Sequence, residues 1–214
     1  MSRYVIKEFA NNQVSLLVVI ASFWNENLNT KIEEQVDKIF KDIAPFLSQK
    51  KIFLYIRDLE NYVFEIDGKK YIGTYSADNR EIFVNVPAWP CKEDELIADV
   101  AKELFSLAYN QVEQSVGSAV LAAGLAIRYG EVVAGWIPPW VHSLSSHQAN
   151  WIIDNWSNKD FDYENLLYNQ GGLAAGYKIA KQLVAPQTKL ADILQHHADD
   201  TRLKNSLHDV LVVT

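Results

Sequence analysis

Lys102, Glu103 and Ser106 put an amine, a carboxylate and a hydroxyl within about one helical turn. Lysine and serine at i and i+4 share a helix face, and a lysine can serve as base to a serine nucleophile. No nucleophile elbow and no S-x-x-K motif accompanies them, so a Ser106–Lys102 hydrolase has little support. The other groups suited to chemistry are dispersed. The histidines are His142, His147, His196, His197 and His208, and no two of them form an H-x-x-x-H pair. On a helix His142 and His147 turn away from each other, and His196 and His197 point to different faces. Each reads as an ordinary surface histidine. Cys91 is the single cysteine, which excludes an internal disulfide and a cysteine-rich zinc site. With no histidine near it in sequence, it reads as a plain surface or core thiol.

The elements that must position these residues fall into two halves. Val14–Phe23 is a continuous, β-branched run that suits a central strand. Asn29-Thr30 offers a helix cap. Ile32, Val36, Ile39, Phe40 and Ile43 then follow at helical spacing, up to about Leu47. Lys51–Ile56 reads as a strand, and Tyr62–Ile66 and Lys70–Tyr75 as a hairpin about Asp67-Gly68. Glu81–Val86 alternates as a further strand, and Pro87 and Pro90 close the sheet region. Helices are expected over Glu93–Gln111 and Ser118–Ala134, then near Ser145–Trp156, Leu173–Val184 and Leu190–His196, with a break at Pro138-Pro139. Strands first and helices after predict an α+β fold: a small mixed or antiparallel sheet followed by a helical half, rather than alternating βαβ units. The 214 residues suit a single domain, sheet-rich over 1–90 and helical over 91–214.

Bulk properties narrow the partners. A net charge of −7 with scattered basic residues argues against nucleic acid as the partner. Val14–Ile20 is too short to span a membrane, and neither its preceding residues nor a cleavage site suits a signal peptide. The expectation is a cytoplasmic protein without a membrane partner.

On a helical wheel of Glu93–Gln111, the residues Glu95, Asp99, Lys102, Glu103, Ser106 and Asn110 share a polar sector. Leu96, Ile97, Val100, Leu104, Leu107 and Ala108 form the opposite stripe. The plain reading is the solvated face of an amphipathic helix. Trp136, Trp140, Trp151 and Trp156 could line a groove for a peptide or small apolar ligand, although core packing is the plainer use of tryptophan. Gly171, Gly172 and Gly176 match neither phosphate-binding glycine pattern; helix entry and close packing explain them better. Glu131 lies two turns beyond Ala123, about 12 Å along the helix, too far to be a substitute ligand at that position.

Set in this order, the Lys102-Glu103-Leu104-Phe105-Ser106 segment resembles the H-E-x-x-H helix of gluzincin-type zinc peptidases. In those peptidases an edge strand precedes the helix and lines the cleft, and a second buried helix supplies a glutamate as third ligand. Here Gly73-Thr74-Tyr75-Ser76 and Glu81–Val86 precede the helix, and Leu121-Ala122-Ala123-Gly124-Leu125-Ala126 follows it. The second helix is similar to the A-E-G-L-A segment of a family of predicted bacterial zinc-dependent proteases. Pro138-Pro139-Trp140 and Gly171–Ile179, with its Gly176-Tyr177, resemble that family's later segments. The likeness covers roughly residues 50–185.

The resemblance implies a zincin-like metallopeptidase fold, with Lys102, Ser106 and Ala123 at the three zinc-ligand positions. A lysine, a serine and an alanine cannot replace two imidazoles and a carboxylate, and a catalytic zinc needs about three protein ligands. The implied protein is a degenerate member: no metal, no cofactor, no intact catalytic residue, and a binding or regulatory role through the residual cleft. Glu103, Tyr75, Trp140 and Tyr177 are then the ligand-binding candidates, for an unknown protein, peptide or small ligand. A Lys102 ammonium paired with Glu103 and Asp99 would take the place of the metal's charge. The alternatives are a hydrolase with an unrecognised metal or non-metal site, and a purely structural interaction protein.

Overall fold

The first hairpin closes on Asn11 and Val14: Asn11 N–H donates to the Val14 carbonyl at 3.0 Å, and Asn11 Oδ1 accepts from Val14 N–H at 2.7 Å. It joins β1 (Tyr4–Ala10) to β2 (Ser15–Ala21) with antiparallel register, Phe9 opposite Leu16. In this computed structural model the described residues are 4–11, 14–21, 26–48, 51–58, 63–66, 69–72, 75–78, 81–86, 93–109, 115–198 and 200–212. Cys91, Pro87, Pro90, Asp67-Gly68, Gly73-Thr74 and Asn110 lie outside them. The chain divides into two compact units, Met1–Ala108 with Val133–Trp136, and Tyr109–Val132 with Ile137–Thr214.

The first unit holds a five-stranded mixed sheet in the order β1-β2-β3-β7-β6. Strand β2 runs parallel to β3 (Lys51–Asp58), and β3 runs parallel to β7 (Glu81–Val86). Between β3 and β7 the chain makes the separate β4–β5 hairpin (Val63–Ile66 with Lys69–Ile72) and then β6 (Tyr75–Asp78), antiparallel to β7. The α+β class holds with two corrections. Strand β2, helix α1 (Glu26–Ile43) and strand β3 make one βαβ unit, which the expected layout lacked. The expectation also omitted β1, so β2 is one place from the edge and β3 is the middle strand.

Alternation decides which face of the sheet is covered. Phe9, Leu16, Val18, Ile52 and Leu54 are buried, and Leu16 and Val18 stand beside Ile52 and Leu54 in register. Glu8 and Lys51 are exposed, and the Lys51 ammonium lies 5.3 Å over the Phe53 ring on the other face. Helix α1 buries Ile32, Val36, Ile39, Phe40 and Ile43, the stripe its spacing predicts. It starts before the Asn29-Thr30 cap that the sequence offered, at Glu26, and ends in a 3-10 turn at Ala44–Phe46 containing Pro45.

Helix α2 (Glu93–Ala108) opens with Glu93, Asp94 and Glu95, acids placed where the helix dipole favours them. It packs on α1 and β7, and Lys31 Nζ reaches Glu93 Oε2 at 3.4 Å. Besides the expected stripe it buries Ala98, Ala101, Glu103 and Phe105, so much more than one side is covered.

The second unit is helical: α3 (Val116–Ala134), α4 (Ser146–Asp154), α5 (Gly172–Leu183), α6 (Leu190–Ile193) and α7 (Thr201–Leu211). A 3-10 turn at Pro139–His142 and a π-helical turn at Asn165–Asn169 interrupt the connections. Ser145 caps α4 in a reciprocal capping box with Gln148. Helix α7 was not expected from the sequence; Asp200 caps it, and Leu203, Leu207 and Leu211 fill its buried stripe. Helix α3 has the length and mean hydropathy, 1.4, to cross a bilayer, but 67% of that stretch is buried within the protein.

Candidate functional site

Asp99 and Lys102 are three residues apart on α2, which sets their side chains on one face. Lys102 Nζ donates to Asp99 Oδ1 at 3.2 Å and stands 3.4 Å from Glu103 Oε1. The three side chains keep only 24%, 20% and 10% of their surface. This corrects the solvated-face reading of the polar sector: Glu103 is buried, because α2 is covered beyond its apolar stripe. One ammonium faces two carboxylates, so the cluster carries a charge of −1 when both acids are ionised. Burial holds the Asp99 carboxyl above its usual range, the Lys102 charge and hydrogen bond oppose that rise, and the Glu103 charge adds to it. Protonation of Asp99 brings the cluster toward neutrality.

Ser106 sits one turn further along and is exposed. Its hydroxyl donates to the Lys102 carbonyl at 3.0 Å, the back-bond common to helical serines. The Lys102 amine meanwhile lies against Asp99 and Glu103. Lysine and serine therefore share a helix turn without forming a base–nucleophile hydrogen bond.

Tyr75 is the first residue of β6, opposite Phe83 of β7, and β6 is an edge strand. The strand that precedes α2 in sequence is β7, an interior strand, so the edge position falls one strand earlier than the resemblance implies.

In the second unit the two family-like segments meet. Gly124 of α3 faces Gly176 of α5 so closely that a Cβ on Gly176 would stand 2.1 Å from the Val120 carbonyl oxygen. Only a helix pair with no side chain at the crossing reaches this separation. Gly171, at φ +76°, starts α5 in the left-handed region. A Cβ on Gly172 would stand 2.8 Å from the Leu166 carbonyl oxygen. The expected roles of these glycines, helix entry and close packing, are thus what the structure displays. Ala123, beside the crossing, is half-buried.

Tyr177, next to Gly176, is 2% exposed and packs with Ile127 and Val141. Trp140, Ile137 and Leu173 lie half-buried against this cluster, so Trp140 and Tyr177 are brought together. The Tyr177 hydroxyl donates to Glu131 Oε2 at 3.0 Å, and Arg128 Nη1 is paired with the same oxygen. Burial first, then the hydrogen bond to Glu131 and its charge, push the Tyr177 hydroxyl up to about 12. His142 meets the Tyr177 ring edge-on at 6.2 Å, and Lys181 Nζ lies 5.7 Å over it.

Trp156 lines no groove. Trp156 is buried, donates Nε1–H to the Ala198 carbonyl at 3.0 Å, and lies where a Cβ on Gly117 would stand 2.3 Å away. That is core packing.

Arg128 was not among the residues picked from the sequence, and Glu131 was weighed there only as a stand-in ligand and set aside. A signal was available: an arginine inside an otherwise apolar helix, with a glutamate at i+3, must find a buried partner. Among the described residues no three His, Cys, Asp or Glu side chains gather as metal ligands. No protein-family model matches the chain, and no characterised protein matches it in sequence.

Proposed function

We propose that this chain is a zincin-like, gluzincin-related scaffold that no longer hydrolyses peptides and instead binds one of its partners in the residual cleft. A protein, a peptide or a small ligand would suit such a cleft; nucleic acid and membrane would not. The observation that carries this reading is the Lys102 ammonium, 3.2 Å from Asp99 and 3.4 Å from Glu103. On the resemblance, Lys102 holds the place of the first zinc-binding imidazole, and Glu103 that of the water-activating carboxylate. A fixed ammonium there repels a divalent cation and occupies the carboxylate that would otherwise activate water. Ser106 and Ala123 supply neither imidazole nor carboxylate at the other two ligand positions.

Elemental analysis of the purified full-length protein, together with a peptidase assay on unfolded casein, tests the reading. Substoichiometric zinc and no cleavage are expected. Stoichiometric zinc that disappears in Glu103→Ala overturns it. A complementary variant, Lys102→His with Ser106→His and Ala123→Glu, restores the three ligand types. Uptake of zinc by this folded variant supports the alignment, and a folded variant with no more affinity than the parent counts against it.

A further inference from the structure

Arg128 is 6% exposed within an apolar helix, so each of its N–H groups needs an acceptor. Nε donates to the Val184 carbonyl at 3.0 Å, and Nη1 pairs with Glu131 Oε2. The same Glu131 oxygen accepts the Tyr177 hydroxyl. Among the described residues, Arg128 Nη2 and Glu131 Oε1 take part in none of these bonds. A donor group and an acceptor oxygen are thus left over on one joined pair, held by the Val184 carbonyl on one side and Tyr177 on the other.

The charges select what fits. A carboxylate or phosphate would meet the Glu131 charge, and an ammonium would meet that of Arg128. A neutral group carrying a carbonyl and an N–H side by side meets neither penalty and satisfies both partners; a primary carboxamide is such a group, whereas a trans peptide bond turns its N–H away from its carbonyl. Trp140 lies half-buried against Tyr177, and the exposed His142 meets the Tyr177 ring, so aromatic surface lies close to the polar pair.

We infer that the second unit recognises the primary carboxamide of a peptide through Arg128 and Glu131, with Trp140 and His142 against the neighbouring Tyr177. The amide carbonyl accepts from Arg128 Nη2, and the amide N–H donates to Glu131 Oε1. The inference rests on the peptide-binding part of the reading above and names the side chains that would carry it.

Saturation-transfer NMR on the full chain with N-acetyl-phenylalaninamide is the test. Transfer is expected, with binding about tenfold weaker for N-acetyl-phenylalanine methyl ester, which lacks the terminal amide N–H. Arg128→Lys keeps the charge opposite Glu131 but removes Nη2, and a similar weakening is expected. No transfer to the wild-type chain overturns the inference, as does equal binding of amide and ester. If Arg128→Lys fails to fold, the amide–ester comparison on the wild-type protein still decides. Zinc content is read separately: zinc-free protein that ignores the amide sinks this inference alone, whereas stoichiometric zinc sinks the pseudo-peptidase reading alone.

Discussion

A Cβ built on Gly124 would stand 2.0 Å from the carbonyl carbon and oxygen of Gly176. Helices α3 and α5 therefore cross backbone to backbone, and no rotamer change can make room, because the obstructing atoms are main chain. The crossing also fixes Tyr177, the next residue, against Ile127 and Val141.

Gly124→Ala and Gly176→Ala should each destabilise the fold by about 3 kcal/mol or more, the upper end of overpacking costs. Chemical denaturation gives the midpoint directly. Gly135→Ala is the informative contrast, since its Cβ meets nothing within 4 Å and only its φ of +73° opposes the change. A Gly124→Ala protein as stable as the parent would show that the helices can separate freely.

Lys102→Met should cost about 1–3 kcal/mol, because it leaves Asp99 and Glu103 partly buried without this ammonium. Adding Asp99→Asn should recover part of the loss. The coupling in this double-mutant cycle measures the interaction; additive effects would mean that the ion pair contributes nothing.

Asp99 should make stability depend on acid pH. Its folded pKa lies above the ordinary 3.8, so the folded state keeps a proton that the unfolded chain releases. Its contribution is most favourable below the unfolded pKa and declines as pH rises toward the folded value. Urea titrations in steps from about pH 4 to neutrality should show Asp99→Asn gaining on the wild type as pH rises. A constant difference across that range would argue against the raised pKa.

Tyr177 should ionise late. Its hydroxyl, raised from 10.0 to about 12, should be missing from the main tyrosinate absorbance step and appear only in strong alkali. Stability tied to the neutral phenol is present below about pH 10 and is lost as pH climbs through the folded pKa. Tyr177→Phe should remove that late step and cost about 1 kcal/mol, since Glu131 keeps its Arg128 partner.

Local periodicity determined a good deal. The stripe Ile32, Val36, Ile39, Phe40 and Ile43 and the apolar side of α2 are repeats of a few residues, visible within one segment, and strung together such segments gave the α+β class. The placement of Gly171 and Gly172 at a helix entry was legible for the same reason: their conformational demands are local. Other features depend on partners distant in sequence. Strand β1 exists through its pairing with β2, and its own composition, with Lys7 and Glu8, is unremarkable. Glu103 is buried because α2 is covered on more than its apolar stripe, which no helical wheel of one segment reveals. Arg128, Glu131 and Tyr177 meet because α3 and α5 cross at Gly124 and Gly176; close packing at Gly176 could be read from the sequence, while its partner Gly124 and the residues the crossing brings together could not.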